Sequence, residues 1–316
     1  MKRKIIIGVT GVGGGVGQSV IKCLKNNYFI IVGLDSKEDA TGLYMCDKSF
    51  IIPQASESNY ISRLLSICKK NKIKILFPGL DTELSKLSSN IDLFRSNGTE
   101  IIISNKEVIQ IANDKLATYE YFREENFVKT RLFNKSNNNF DYPIVIKQRK
   151  DGCRSKNVFI INNKIEFENF IARKDLKFSN FITCEYLEGD EFTCGTINFD
   201  GKCQGVICMK RILRNGDTYK CYTQKNSLVE DYAIHLMEKL KPHGPCNLQL
   251  KLDNGEPRAF EINARCSGTT AARALCGFNE PLMTIDYFLK NKIPKIKITN
   301  NTIYRYWEEL VISKSS

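Results

Sequence analysis

The side chains with the clearest chemical potential are polar groups that alternate with apolar ones in the segment 259–265. In an extended strand, Glu261, Asn263 and Arg265 lie on one face, while Phe260 points to the opposite face. A carboxylate, an amide and a guanidinium in a row could bind a cation and stabilise a developing negative charge. The alternative interpretation of this pattern is an ordinary strand face that contacts solvent.

A second polar face precedes this segment in the sequence CNLQLKL, residues 246–252. Gln249 shares a face with Asn247 and Lys251, and leucines occupy the other face. The turn sequence DNGEP joins the two segments, which predicts a β-hairpin whose polar faces coincide. Oxygen ligands without histidine or thiolate suit a hard cation such as Mg²⁺, and phosphate oxygens would complete its shell. The hairpin is therefore predicted to hold a metal–nucleotide complex.

Groups that could bind the nucleotide phosphates occur upstream, in the sequence YPIVIKQRKDGCRSKNVFII. This pattern predicts two strands joined by a polar loop, with Lys147 on the first strand, from which it can reach phosphates. The loop starts at Arg149 and contains Gly152 and Ser155. Its backbone N–H groups could fold over a triphosphate, as they do in other anion-binding loops.

A site for the base and the ribose is predicted in the sequence ITCEYLEGDEF. The apolar strand ends in Glu185 and Leu187, before a turn at Gly189, and such a hinge can offer backbone groups to adenine. Glu191 could accept a hydrogen bond from a ribose hydroxyl. The alternative for Glu185 is a structural role at the turn.

The elements that must position these groups follow two patterns. Residues 1–110 alternate short apolar runs with amphipathic helices, which is typical of a parallel α/β sheet. One helix is predicted in ELSKLSSNIDLFRSNG, closed by Gly98, and a further helical stretch over 113–133. From about residue 141 onward, strands separated by turns predict an α+β arrangement of antiparallel hairpins.

The N-terminal glycine loop, GVTGVGGGVGQSV, follows the first predicted strand and opens the first helix. This is where a Rossmann fold binds phosphate, and Asp35 ends the next strand near the place of a ribose-binding acid. The spacing does not match G-x-G-x-x-G in any register, so a structural role is favoured. The loop is expected to line the substrate pocket together with residues 78–83 and the segment after Gly268.

The following loop, PGLDTEL, carries two acidic residues at the start of a predicted helix. Asp81 is interpreted as the N-cap of that helix, with Glu83 in its first turn. A contact between Asp81 and the substrate is the alternative interpretation.

Length and composition narrow the class of protein. A chain of 316 residues predicts two or three domains, and no apolar run is long enough for a membrane span. The N-terminal run reads as a first strand rather than a signal peptide, which favours the cytoplasm. The twelve cysteines lack metal-ligand spacing, and the charge of +12 is spread without a long basic run, which argues against a nucleic-acid groove.

These segments together resemble the ATP-grasp superfamily, close to one synthetase half of the carbamoyl-phosphate synthase large subunit and the small ligases of that branch. The matching pieces are TGVGGGVGQSV, FPGLDTEL, NDKLATYEYF, PIVIKQRKDGCRSKNV, CEYLEGDEF, GPCNLQLKL and FEINARCSGT. The resemblance implies a Rossmann-like pre-ATP-grasp domain followed by a two-part ATP-grasp fold. Expected boundaries are 1–112 for the first domain, 113–187 for the lid and 188–316 for the C-terminal subdomain.

The resemblance also implies roles for individual residues. Those implied to contact ATP are Lys115, Lys147, Arg149, Gly152, Ser155, Glu185, Leu187 and Glu191. Those implied to hold two Mg²⁺ ions, for which Mn²⁺ could substitute, are Gln249, Glu261 and Asn263. Arg265 and Lys147 are implied to be catalytic, with Arg265 facing an acyl-phosphate, and Arg211 is a weaker match.

The implied activity is an ADP-forming ligase that activates a small carboxylate as an acyl-phosphate for attack by an amine. A homodimer is expected, without nucleic-acid or membrane partners. Three alternatives remain open from the sequence. They are phosphorylation of bicarbonate or carbamate, a nicotinamide-dependent oxidoreductase that uses the glycine loop and Asp35, and a basic nucleic-acid-binding protein.

Overall fold

The computed structural model describes residues 4–25, 28–136, 139–150, 157–293, 295–306 and 308–312. Gly152 and Ser155, which the sequence places in the phosphate loop, lie outside these ranges. Across the described ranges, we find no helix with the length and apolar character needed to cross a membrane.

The N-terminal part is a parallel five-stranded sheet, as the alternating pattern predicts. Its strands are β1 (Ile5–Thr10), β2 (Phe29–Asp35), β3 (Lys48–Ile51), β4 (Ile75–Phe77) and β5 (Glu100–Ile101), in the order β3-β2-β1-β4-β5. The associated helices are α1 (Gly15–Leu24), α2 (Tyr60–Asn71), α3 (Asp81–Ser88), α4 (Ile91–Ser96) and α5 (Lys106–Ala112). A parallel sheet presents the carboxyl ends of its strands at one edge, where the glycine loop and the PGLD loop lie.

A small antiparallel sheet follows, preceded by helix α6 (Lys115–Tyr121). Its strands are β6 (Thr130–Leu132), β7 (Ile144–Gln148), β8 (Val158–Ile161) and β9 (Phe181–Glu185), in the order β6-β9-β7-β8. Helix α7 (Lys164–Ile171) packs on this sheet through the buried Phe167 and Phe170.

The C-terminal part is a six-stranded antiparallel sheet in the order β14-β13-β10-β11-β12-β15. The strands are β10 (Glu191–Phe199), β11 (Lys202–Arg214), β12 (Asp217–Thr223), β13 (Gly244–Asp253), β14 (Glu256–Asn263) and β15 (Thr302–Tyr304). Its helices are α8 (Ser227–Leu240), α9 (Thr270–Leu275) and α10 (Glu280–Lys290). One apolar cluster joins all three sheets: Val32 and Leu34 of the first sheet share it with Ile182 of the second and Leu248 of the third.

Two of the predicted helices are wrong in extent. The helix predicted through Gly98 is broken between α3 and α4, where Asn90 has φ −125° and its side chain donates to the Lys86 carbonyl at 2.8 Å. An asparagine that satisfies helix carbonyls in this way ends a helix locally. The stretch over 113–133 is helical only to Tyr121, because the chain reverses at Asn126 (φ 53°) and then enters β6.

Candidate active site

A cavity of about 450 Å³ lies between the four-stranded and the six-stranded sheet. Eight of the residues singled out from the sequence line it, namely Lys115, Lys147, Glu185, Leu187, Glu191, Arg211, Gln249 and Glu261. Part of its wall is apolar, and Val145, Ile160 and Leu213 are among the residues that line it. A cavity with an apolar wall and converging charged groups has the composition of a small-molecule site.

The hairpin β13–β14 forms as predicted and carries the polar face into this cavity. Its two-residue turn, Asn254-Gly255, has positive φ at both positions (51° and 84°), the backbone that an Asn-Gly hairpin turn requires. Gln249 and Glu261 are directly paired across the two strands. The structure therefore places a carboxylate and an amide side by side on the cavity wall.

The position of Phe260 differs from the prediction. The pairing register shifts between Gln249 and Leu250, so that Leu250 pairs with Ala259 and Phe260 is the extra residue of a β-bulge. Strict alternation is lost there, and Phe260 lines the cavity together with Glu261. The bulge also turns the Phe260 carbonyl toward Lys147, whose Nζ donates to it at 3.3 Å.

Glu261 is an anionic group of the cavity wall that interacts electrostatically with two lysines, Lys115 and Lys147. Burial raises the pKa of this carboxyl, but Lys115, Lys147, the hydrogen bond from Asn263 and Arg211 together lower it more, so the net pKa lies below its ordinary value. Asn263 adds a hydrogen bond from Nδ2 to Glu261 Oε1 at 3.1 Å. Glu261 is therefore ionised at neutral pH and suited to a cation.

A buried hydrogen-bond network holds the side chain of Asn263 in place, and the sequence pattern did not indicate this network. Its Oδ1 accepts from Asn247 Nδ2 at 3.2 Å, and Asn247 Oδ1 accepts from Arg273 and from Thr193. Arg273 in turn donates to Glu280 at 2.7 Å, and neither side chain of this ion pair is exposed. A lysine or arginine in a short helix such as α9 normally suggests a surface residue, which is why Arg273 was missed.

Arg211, the weakest match in sequence, links two cavity strands. Its Nε donates to Glu191 Oε1 at 2.6 Å, and its NH2 donates to Gln249 Oε1 at 2.8 Å. The side-chain oxygen of Gln249 and the carboxylate of Glu191 thus both accept hydrogen bonds from the guanidinium of Arg211. The three side chains form one polar row across β10, β11 and β13.

The hinge after β9 holds the Glu185 carboxylate and the Leu187 carbonyl in contacts within the protein. Glu185 Oε1 accepts from the Lys129 N–H at 2.7 Å and from Arg258, so this side chain is held in a structural network. The Leu187 carbonyl accepts from Lys251 Nζ at 2.9 Å. Both Glu185 and Leu187 nevertheless line the cavity.

Arg149 and Lys115 are positioned together at the start of α6. Asp114 caps this helix by accepting from the backbone N–H groups of residues 116 and 117. Arg149 Nε donates to Asp114 Oδ1 at 2.7 Å, so its guanidinium is turned toward the cap and is absent from the cavity lining among the described residues. Lys115, the first residue of the helix, lines the cavity.

Arg265 lies two residues beyond the end of β14, in a bend where its N–H donates to the Asn263 carbonyl at 2.8 Å, so it does not continue the strand face of Glu261 and Asn263 as predicted. Its fork holds the carboxylate of Asp81, with Nε at 2.6 Å from Oδ1, and its NH1 donates to the Cys266 carbonyl at 2.8 Å. The interpretation of Asp81 as an N-cap is wrong, because Leu80 occupies that position and Asp81 begins the helix. The Asp81 carboxylate is committed to a guanidinium 184 residues away in sequence.

The glycine loop has a structural role in this arrangement. Asp35 accepts from the N–H of Gly13 at 2.7 Å and of Lys37 at 3.1 Å, so its carboxylate holds the loop. A Cβ at Gly17 would lie 2.6 Å from the Gly11 carbonyl oxygen, which explains the glycine there. The loop also reaches the other segments expected near the substrate, because a Cβ on Gly11 would touch Leu80.

Comparison with known proteins agrees with this geometry. A family model described as the PylC-like N-terminal domain matches residues 7–102, and one described as ATP-grasp in the biosynthetic pathway with Ter operon matches residues 177–309. A carbamoyl-phosphate synthase of Methanobrevibacter smithii is 21% identical over 301 residues, which is 89% of this chain and 80% of that protein.

Solved structures share the overall fold of this chain. The L-amino acid ligase from Bacillus licheniformis superposes with a TM-score of 0.73 at 13% identity, covering 92% of this chain and 75% of that one. An N5-carboxyaminoimidazole ribonucleotide synthetase in complex with ADP gives a TM-score of 0.74 at 15% identity, covering 94% and 81%. The three sheets and the cavity between the last two define an ATP-grasp fold. The chain has the fold of these ATP-grasp proteins, and residues 177–309 match the ATP-grasp family model.

The candidate metal ligands on the β13–β14 hairpin, Glu261, Gln249 and Asn263, fit a hard cation such as Mg²⁺ only in part. Glu261 and Gln249, which are paired across the hairpin, line the cavity with oxygen-bearing side chains. Cys184 also lines the cavity, but it lies on β9 of the other sheet, where its Sγ is 3.4 Å from Thr130 Oγ1. The Oδ1 of Asn263 faces Asn247, so this amide would have to rotate to serve as a ligand.

Proposed function

We propose that this protein is an ATP-dependent ligase that converts a small carboxylate into an acyl-phosphate and transfers the acyl group to an amine, with Mg-ATP bound in the cavity. The observation that carries the proposal is the position of Glu261, ionised between Lys115 and Lys147 and paired with Gln249 on the cavity wall. This combination of one carboxylate with two cations suits the phosphates of a metal–nucleotide complex.

The proposed reaction has two displacements. An oxygen of the substrate carboxylate attacks the γ-phosphorus, and the bond to the β,γ-bridging oxygen breaks, releasing ADP. The amine then attacks the acyl carbon, the bond to the phosphate oxygen breaks, and phosphate and a proton leave. Mg²⁺, held by Glu261 and Gln249, with Asn263 after rotation, would neutralise phosphate charge.

The side chains of this chain act by position and charge. Lys147 and Lys115 would hold the phosphates, while the hinge at Glu185 and Leu187 would hold the base against the apolar wall and Glu191 the ribose. Arg265 would face the developing charge on the acyl-phosphate. Arg149, which the sequence assigned to ATP, acts in this proposal through Asp114 on the start of α6.

The direct test is ADP release from Mg-ATP with a panel of amino acids, other small carboxylic acids and bicarbonate, each with and without an amine. We expect release that requires one class of carboxylate. Release that depends on bicarbonate alone would favour the carbamoyl-phosphate alternative, and the absence of acid-dependent release would contradict the proposal. A homodimer and a cytoplasmic location stay predictions from the sequence.

A further inference from the structure

The tip of the β13–β14 hairpin holds the hinge at the end of β9, residues 185–190. Lys251 Nζ donates to the Leu187 carbonyl at 2.9 Å, so the lysine is fixed against the hinge backbone. The next residue of the hinge, Glu188, donates its N–H to Asp253 Oδ1 at 3.1 Å. Two side chains of one strand thus bind two consecutive backbone groups of the hinge.

The two backbones also lie against each other at Gly189. This residue has φ 81°, and a Cβ there would lie 2.1 Å from the Leu252 carbonyl oxygen, so only glycine fits without displacing the hairpin. The N–H of Leu252 in turn donates to the Asp190 carbonyl at 3.1 Å. A movement of the hairpin tip would therefore move the hinge with it.

Arg258 completes the attachment from the second strand of the hairpin. It pairs directly with Lys251 across the two strands. Its NH1 donates to Asp253 Oδ2 at 3.1 Å, and its NH2 donates to Glu185 at the start of the hinge. The planar guanidinium can hold two carboxylates at once, which a lysine ammonium does less well. Both ends of the segment 185–188 are therefore attached to the hairpin, the first through Arg258 and the second through Asp253.

The segment held in this way forms part of the cavity wall. Residues 185–187 line the cavity, whereas Asp253 and Arg258 are not among the described residues that line it. The same two strands carry Gln249 and Glu261, farther from the turn. One hairpin therefore fixes both the proposed metal face and the hinge, on the wall of a single cavity.

We propose that Asp253 and Arg258 are positioning residues, which fix the hinge backbone against the nucleobase and thereby set how well the site distinguishes one purine from another. This inference rests on the proposed function, because it concerns the nucleotide bound at the same site. Backbone N–H and carbonyl groups can read the edge of a base only while they keep fixed positions. The hairpin tip supplies those positions without itself contacting the nucleotide.

Two substitutions loosen this attachment while keeping the fold. Asp253→Ala removes the acceptor of the Glu188 N–H, but Arg258 keeps its other carboxylate, Glu185. Arg258→Lys keeps a cation beside the two partly buried acids, whose side chains are 14% and 29% exposed, so neither is left unpaired. It removes the fork that holds both acids at once. Both variants leave the residues of the proposed metal face in place.

The test is a calorimetric titration with ATP and with inosine triphosphate, both in excess Mg²⁺. The two nucleotides share the ribose and the phosphates and differ on the base, where a keto oxygen replaces the amino group of adenine. We expect the wild type to bind ATP about tenfold or more tightly than inosine triphosphate. In Asp253→Ala and in Arg258→Lys this ratio should fall to about threefold or less, mainly because ATP binds more weakly.

Two further variants separate a positioning role from a general loss of structure. Asp253→Asn keeps an oxygen that accepts from the hinge, and it should retain more of the discrimination than Asp253→Ala. Glu100→Ala is the matched control, because Glu100 is also a carboxylate bound to an arginine, Arg95, and its side chain is 18% exposed. Glu100 is absent from the described cavity lining, so this variant should leave the ratio between the two nucleotides unchanged.

Equal affinity for both nucleotides in the wild type would overturn this inference. So would an Asp253→Ala or Arg258→Lys protein that keeps the wild-type ratio, or one that loses affinity for both nucleotides by the same factor, since that pattern indicates general damage to the site. Each of these results includes binding of Mg-ATP by the wild type and leaves the proposed ligase intact. Failure of the wild type to bind Mg-ATP would instead contradict the proposed function, and this inference with it.

Discussion

Arg273 and Glu280 form an ion pair whose two side chains are fully buried. Through hydrogen bonds, this pair supports the polar face of the β13–β14 hairpin. Arg273 reaches Asn247 on β13, and Asn247 holds Asn263 on β14. Gly195 on β10 makes room for the pair, because a Cβ there would lie 2.5 Å from Arg273 NH1 and from Glu280 Oε1. The proposed metal face thus depends on a charge pair inside the protein.

Arg273→Met should therefore be strongly destabilising. It leaves the Glu280 carboxylate buried without its cation, and breaking a buried pair from one side costs about 3–5 kcal/mol of unfolding free energy. The double variant Arg273→Met with Glu280→Met should recover much of that loss, because neither charge remains. Urea unfolding of both variants measures this, and a double variant as unstable as the sum of the single ones would contradict the coupling.

Glu261→Gln should abolish most turnover while the fold survives. The substitution removes the anion between Lys115 and Lys147 but keeps its shape, so we expect carboxylate-dependent ADP release to fall by about 100-fold or more. Glu256→Gln, an exposed acid at the start of the same strand, is the matched control and should retain wild-type release. A folded Glu261→Gln enzyme with normal turnover would remove Glu261 from the site.

Gly79→Ala should destabilise the loop before Asp81. An added Cβ would lie 2.1 Å from the Thr10 carbonyl oxygen, a backbone atom that cannot move away freely. We expect a loss of about 1–3 kcal/mol in the free energy of unfolding. Gly268→Ala is the control, since no atom lies within 4 Å of a Cβ there. Equal stability of the two variants in urea would show that the close approach is relieved at no cost.

The Arg265–Asp81 pair should make stability fall at acidic pH. Burial raises the pKa of Asp81, but the positive charges of Arg265 and Lys115 lower it by more than burial raises it. The net pKa therefore lies below its ordinary value of 3.8. The stabilisation is thus fully present above that value and is lost as pH falls through the lower pKa of the folded state. At neutral pH we expect Asp81→Asn to lower the unfolding free energy by about 2 kcal/mol.

Below pH 3.8 this difference between the wild type and Asp81→Asn should shrink toward zero, because the wild-type carboxyl also becomes protonated. Urea unfolding of both proteins at neutral pH, near pH 5 and near pH 3 measures the difference. A gap that stays constant across these conditions would mean that the ionised pair contributes nothing to folding.

Local sequence pattern predicted the alternating N-terminal elements, the β13–β14 hairpin and the pairing of Gln249 with Glu261, because strand alternation and an Asn-Gly turn are local properties. It could not place Phe260, since a bulge depends on how the partner strand pairs. It also missed β3, a short edge strand, and β12, which pairs with β11 and β15, and both receive part of their stabilisation from neighbouring strands.

Contacts between distant segments were harder still to anticipate. Arg265 was predicted to be a functional cation, but its partner Asp81 is 184 residues away in the sequence, at the start of α3, and was interpreted as a helix cap. Arg273 sits in the short segment TAARAL, where nothing local distinguishes a buried arginine from a surface one. Arg149 has the right position for a phosphate ligand, yet the acid that it meets, Asp114, is fixed only by the way α6 packs.

The most direct measurement for the central claim is a calorimetric titration of the wild-type protein with ATP, with Mg²⁺ and again with a chelator. The account predicts saturable binding of one nucleotide per chain that weakens when Mg²⁺ is removed, and a Glu261→Gln variant in which this dependence on Mg²⁺ is lost. Absence of saturable binding, or the same affinity with and without Mg²⁺ in the wild type, would contradict the assignment of the cavity to Mg-ATP.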